Sequence, residues 1–200
     1  VRGAVNNDAN AVTYTSWVTL TDGPHAIEID WRAATAAGAN NGGLTLWVDD
    51  VEQGSITTLD NDGRKVDYVQ IGAVTGIDAG TRGTLYFDLF ESRRDTYIGL
   101  DPTAPTAPPF PTKTDALFMD GFESGDFSAW SRNTIDGGDL SITSQAAMFG
   151  ASGMQALLDD NNVIYVIDYL PYEETTYRAR FYFDPNSLTM AASNAHYIFY

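Results

Sequence analysis

Two hundred residues, 44% apolar and 12% aromatic, give enough material for the core of one large domain or two small ones. The formal charge is −16, with 27 acidic residues against 11 basic, which argues against nucleic acid or an anionic membrane surface as partner, because both need basic patches. The absence of cysteine excludes a disulfide framework and a thiolate metal site, and the two histidines are too few for a His-based zinc site of the usual kind.

Taken in chain order, residues 1–99 read as strands. A strand is expected at Arg2–Val5, and Asp22-Gly23-Pro24 is a turn signal after the run AVTYTSWVTL. Next, HAIEIDWR alternates, with Ile27, Ile29 and Trp31 on one face and Glu28, Asp30 and Arg32 on the other. GGLTLWVDD alternates too, with Leu44, Leu46 and Val48 opposing Thr45, Trp47 and Asp49. Such period-two patterns mark half-buried antiparallel strands, since successive side chains leave a pleated strand on opposite sides. Asp60-Asn61-Asp62-Gly63 is a further turn. VDYVQIGAV then places Val69 and Ile71 inward, with Tyr68 and Gln70 outward. In GTLYFDLFESRR the alternation predicts Leu85, Phe87 and Leu89 inward and Tyr86, Asp88 and Phe90 outward.

Residues 100–116 hold five of the eight prolines. Proline fixes φ and removes a ladder donor, so this segment reads as a semi-extended linker and a domain boundary. Residues 117–200 are strand-rich again. LFMDGFESGDFSAW predicts an entry strand and a turn with Trp130 as a core anchor, and two short strands are expected around Gly150 and Gly153. VIYVIDYL suits a strand buried on both faces. TTYRARFYFD points Tyr177, Ala179, Phe181 and Phe183 inward, and Arg178, Arg180 and Tyr182 outward. No convincing helix is predicted, and no run approaches the ~20 apolar residues of a membrane span. The chain opens at Val1 and stops at Tyr200 inside an aromatic run, which reads as an internal piece of a longer protein.

HAIEIDW, GGLTLWVDD, VQIGAV and GTLYFDLFESRR resemble the C-terminal half of a concanavalin A-like (laminin-G-like) jelly roll. FMDGFESGDFSAWS, GMQALLDDNN and YRARFYFDPNS resemble the start of such a domain. The fold class expected is therefore all-β, an antiparallel two-sheet β-sandwich present as two complementary half-domains. Residues 1–99 would be the back half of one module and 117–200 the front half of the next. Because a half sandwich leaves an apolar sheet face uncovered, the two halves are expected to close on each other as one permuted sandwich. The resemblance also implies a secreted or surface-attached multidomain protein with neighbouring modules of the same chain as partners.

The chemistry follows from that resemblance. Its laminarinase branch uses Glu-x-Asp-x-Glu or Glu-x-Asp-x-x-Glu on one strand, with the two glutamates ~5–5.5 Å apart. Here Glu28 and Asp30 supply the first two positions, but Arg32 and Ala33 stand where the proton donor would be, so no hydrolase activity is expected and Glu28 and Asp30 read as a solvated strand face. No Gly-x-Ser-x-Gly elbow is present. His25 reads as a turn histidine and His196 as packed among aromatics. Glycan binding is the functional expectation, through the outward-facing Glu28, Asp30, Trp47, Tyr68 and Tyr86, with a ligand-free structural spacer as the alternative and a degenerate glycosidase behind it. Structural calcium is the one cofactor the resemblance suggests, at Asp88, Asp120 and Glu123; the loop LDNDGRK is a weak imitation of a calcium-loop spacing.

Overall fold

The structure, a computed structural model, describes residues 1–100 and 115–200. Most of the predicted Pro-rich linker, residues 101–114, lies outside the described residues. Residues 1–100 form β1 (Ala4–Asn6), β2 (Val12–Tyr14), β3 (His25–Arg32), β4 (Gly42–Val48), β5 (Val51–Leu59), β6 (Val69–Thr75) and β7 (Gly83–Arg93). Residues 115–200 add β8 (Ala116–Asp120), β9 (Arg132–Thr134), β10 (Leu140–Thr143), β11 (Gly153–Leu158), β12 (Ile164–Asp168), β13 (Thr176–Asp184) and β14 (Tyr197–Phe199). Among the described residues the helical content is one short 3-10 turn at Asp136–Gly138.

The fold is an all-β antiparallel sandwich. Its large sheet has the order β10-β11-β7-β13-β3-β4-β5, with β8 pairing the far half of β7, and its small sheet the order β14-β6-β12-β9. A separate hairpin, β1-β2, sits beside them. Strands of 117–200 pair with strands of 1–99 in both sheets. In the large sheet β13 lies between β7 and β3, with Arg178 opposite both Asp30 and Arg93, and Arg180 opposite both Glu28 and Glu91. In the small sheet β12 and β14 flank β6.

The core lies between the sheets. Leu85 and Phe87 of β7 and Ala179 and Phe181 of β13 pack with Ile71 of β6 and Val166 of β12, and all are essentially water-free. Beside them Trp130 is buried as expected, stacked on Phe122 at 6.0 Å and edge-on to Phe118 at 4.8 Å. β12 is buried almost throughout, matching its continuous apolar run.

Local chemistry sets the connections. The β4–β5 turn places Asp49 and Asp50 at φ 52° and 69°, the left-handed pair a two-residue hairpin turn requires and which aspartate tolerates better than most residues. Asn61, fully buried in the predicted turn, accepts the Ala34 N–H at 2.8 Å and donates to the Arg32 carbonyl at 3.1 Å. Gly42 leaves the room for it, because a Cβ there would meet Asn61 Oδ1 at 1.8 Å.

One predicted alternation is corrected. Leu89 adopts φ 45°, and the β7–β13 register shifts between Arg180 and Tyr182. The extra residue is a β-bulge, which reverses the facing of the next side chains along the strand. Phe90 therefore enters the main core and Leu89 packs on the outer face with Ala26 and Tyr182, opposite to the strict alternation.

Candidate functional site

The outer face of the large sheet carries the residues that pattern reading singled out, but they are not solvated. Glu28 and Asp30 on β3 are 3% and 8% exposed, and Arg178 and Arg180 on β13 are 6% and 2% exposed. Antiparallel pairing brings them side by side. Arg178 donates to Glu28 Oε1 at 2.9 Å and lies 2.9 Å from Asp30 Oδ2. One strand further, Arg180 lies 3.3 Å from Glu91 Oε2, and Arg93 Nε donates to Glu91 Oε1 at 2.6 Å. Arg32 completes the row with a bond to Asp30 at 3.0 Å.

The segment after β7 seals this row. The Ile98 and Gly99 N–H groups donate to the two oxygens of Glu28 at 3.1 and 2.8 Å, and the Gly99 and Tyr97 carbonyls accept from Arg180 and Arg93. Trp47 meets Tyr97 edge-on at 5.6 Å, and the Arg178 guanidinium lies 5.0 Å from the Trp47 ring centroid. Tyr97 is anchored in turn by its hydroxyl donating to Asp50. Burial and the bond to Asp50 push the Tyr97 phenol far above its ordinary range. The expectation of a solvated Glu28–Asp30 face is thus corrected. A strand's alternation tells which side a carboxylate faces, and says nothing about a strap from about 70 residues away in sequence that covers it.

The five candidate ligand residues do not form one surface. Glu28, Asp30 and Trp47 belong to the sealed row. Tyr86 lies at the far end of the same sheet, opposite Asp184 and Gln155. Tyr68 stands just before β6, on the other side of the molecule, where it packs against Tyr169 at 6.2 Å and Tyr200 at 6.0 Å. These three are 38%, 52% and 57% exposed, and burial followed by the neighbouring phenols raises the Tyr68 pKa.

The carboxylates considered for calcium are held by N–H donors. Asp88, fully buried, accepts from Met148 and Phe149 at 2.9 Å each and from Leu89 at 2.7 Å. Burial outweighs those donors and pushes its pKa up to about 6. Asp120 accepts from the Phe122 N–H and from Trp130 Nε1 at 2.7 Å, and burial raises its pKa too. Glu123 accepts from Ala151 and Ser152. Rings of N–H groups suit an anion and not the oxygen shell of a calcium ion, so these residues as placed do not fit one. Among the described residues, carboxylate oxygens converge within 4.8 Å at Asp8, from the β1–β2 connection, and at Asp60 and Asp62, in the loop that imitates a calcium spacing. There Arg64 lies 3.8 Å from Asp8, and Lys65 donates to the Asp62 carbonyl.

His25 Nδ1 lies 2.7 Å from Asp49 and its Nε2 2.9 Å from Thr21 Oγ1, tying the turn to the hairpin. His196 has both ring nitrogens buried without a hydrogen-bond partner among the described residues, and burial lowers its pKa.

On the inner face a cleft of about 630 Å3 opens between β1-β2 and β14, floored by β3, β4 and β13. Ile29 and Trp31, expected in the core, line it and are only half-buried. At its mouth Trp17 is 60% exposed, and Arg2 lies 3.8 Å over the Tyr14 ring and 4.3 Å over Trp17. Neither the Tyr68–Tyr169–Tyr200 cluster nor this cleft is visible in the sequence pattern. Their parts come from distant segments, and the one local signal is the aromatic-rich run VTYTSW. Among the described residues no helix is long and apolar enough to cross a membrane. No known family model matches the chain, and no curated protein is significantly similar to it.

Proposed function

We propose that this chain is a non-catalytic carbohydrate-binding or adhesion module of a secreted or surface-attached multidomain protein, and that its glycan contact is the tyrosine cluster of Tyr68, Tyr169 and Tyr200. The observation that carries this reading is the exposure of Tyr169 and Tyr200, each packed against the exposed Tyr68, three tyrosines drawn from three separate stretches of chain. Tyrosine rings present an apolar face for the C–H surface of a sugar and a hydroxyl for its polar edge, and such grouped exposure is costly unless something binds it. The resemblance of the strand pattern to concanavalin A-like modules supports the same reading. Glu28 is not offered as a catalytic group, because Arg178, Ile98 and Gly99 already occupy both its oxygens.

Polysaccharide and glycan-array screening of the full chain tests the proposal. Binding that is lost in Tyr68→Ala and Tyr169→Ala while the melting temperature stays within the small range of surface substitutions is the expected result. Absence of binding to any glycan would sink it in favour of a structural spacer.

A further inference from the structure

The turn before β3 and the turn after β4 meet at His25. Its Nδ1 lies 2.7 Å from Asp49 Oδ2, and its Nε2 lies 2.9 Å from Thr21 Oγ1. A third bond fixes which nitrogen carries the proton. The Thr21 backbone N–H donates to Nε2 at 3.1 Å, and a backbone amide nitrogen can only donate. Nε2 is therefore the unprotonated nitrogen, Nδ1–H donates to the Asp49 carboxylate, and the Thr21 hydroxyl can meet Nε2 only as a donor. Asp49 is itself held in place, because its other oxygen accepts the Ala26 N–H at 2.9 Å. A hydroxyl, an imidazole base and an orienting carboxylate are thus joined by hydrogen bonds, the relation that activates a nucleophile for acyl transfer.

The relay is closed at the base and open at the hydroxyl. The His25 side chain is 12% exposed, whereas Thr21 is an exposed residue. Thr21 lines a shallow cleft of about 300 Å3 with Leu20, Pro185 and Leu188, which suits a small apolar group. Asp22 and Ser187 complete the lining and are already engaged, since the Ser187 N–H and hydroxyl both donate to the Asp22 carboxylate. The N–H groups of Asp22 and Gly23 make no hydrogen bond among the described residues. An N–H directly after a nucleophile is where acyl transfer finds a donor for the developing oxyanion. The Asp22 carboxylate, in a chain of net charge −16, disfavours an anionic reactant.

From this geometry we infer that Thr21 is a covalent acceptor site for the acyl group of a neutral, activated carboxylic ester. Thr21 Oγ1 bonds to the ester carbonyl carbon while its proton passes to His25 Nε2. The bond from that carbon to the leaving oxygen then breaks, and the leaving group departs as an alcohol or phenol with the proton from Nε2. His25 returns to its starting tautomer, Thr21 carries an O-acyl ester, and nothing is oxidised or reduced. Asp49 is a positioning residue, holding the imidazole in the tautomer whose Nε2 can accept. One acyl group is taken up per chain, so the step modifies the chain itself and does not rest on the glycan reading.

The test exposes the full chain to para-nitrophenyl acetate, follows nitrophenolate release and locates the acetyl group by peptide mass spectrometry. The expected result is one equivalent of nitrophenolate and one acetyl group on Thr21, both lost in Thr21→Val. Asp49→Asn is the sharper variant. The Ala26 N–H keeps the side-chain oxygen as its acceptor, so the amide NH2 faces His25 Nδ1 and imposes the wrong tautomer. Acylation of Thr21 should then slow about a hundredfold or more while near-UV circular dichroism stays that of the folded chain. Imidazole nitrogen shifts of His25 should place the proton on Nδ1 in the parent and on Nε2 in Asp49→Asn. Acetylation confined to the Val1 amine, a lysine, a tyrosine or Ser187 would overturn the inference, as would a Thr21 label that forms as fast in Asp49→Asn, or no label at all. Tyr169→Ala, which does not line this cleft, is expected to leave the Thr21 label unchanged, so failure of the glycan reading and failure of this one are read separately.

Discussion

The two faces of β3 and β13 reverse the usual arrangement of a sandwich. Their polar face, with Glu28, Asp30, Arg178 and Arg180, is sealed beneath the strap that comes after β7, whereas part of their apolar face, with Ile29 and Trp31, borders an open cleft. Polarity alone therefore does not say which side of a strand meets water. A charged face can be buried where each charge finds an opposite one, even though Asp30 Oδ1 and the Nε atoms of Arg178 and Arg180 are buried without a hydrogen-bond partner among the described residues. An apolar face stays partly open where the facing layer has a gap.

Breaking the sealed face should have the largest effect. Removing one partner, in Arg178→Ala or Glu28→Ala, leaves a buried charge uncompensated and should cost about 3–5 kcal/mol, read from denaturant unfolding. Replacing both with apolar residues of similar volume should recover only part of that loss, because Asp30 then loses Arg178 and the Ile98 and Gly99 N–H groups lose Glu28. A double variant no more stable than the singles would show that the pair is not what holds the strap to β3 and β13.

Along the inner face the contrast is between the closed core and the open cleft. Leu85→Ala, at a fully buried site between the sheets, should cost about 2–5 kcal/mol, as core truncations do. Ile29→Ala at the half-open cleft should cost roughly 1 kcal/mol, because less area leaves water on folding there. Equal losses at the two positions would mean that the cleft is closed in solution.

The smallest effect expected is a pH dependence from Asp88. Its pKa in the folded chain, about 6, stands above its ordinary value, so the folded state holds this proton more tightly than the unfolded one. The stability it contributes is fully present below the unfolded pKa and is lost as pH rises through about 6. Asp88→Asn should flatten the slope of stability between about pH 4 and 6, and the carboxyl carbon signal of Asp88 should titrate near 6. A midpoint near the ordinary aspartate value of about 4 would remove the burial argument.

Much of the fold is legible in the sequence because strand alternation is a local property. Tyr177, Ala179, Phe181 and Phe183 face the core as their spacing predicts, and Trp130 is the anchor its context suggests. Leu89 and Phe90 depart from their pattern because a bulge depends on the partner strand, and no residue in FDLFES announces it. The candidate site is less legible. Of the five residues picked for ligand contact, Tyr68 stands in an exposed aromatic group, and its companions Tyr169 and Tyr200 lie about 100 and 130 positions further along the sequence.

By itself the sequence determined that this protein is built of antiparallel strands, because side-chain period and turn chemistry act within a few residues. Only the tertiary structure decided that β13 lies between β7 and β3 and that Arg178 and Arg180 thereby neutralise Glu28 and Glu91. It alone left a cleft between β1 and β14. Strand order and the cover over each face depend on contacts between distant segments, and no local pattern encodes which segment arrives.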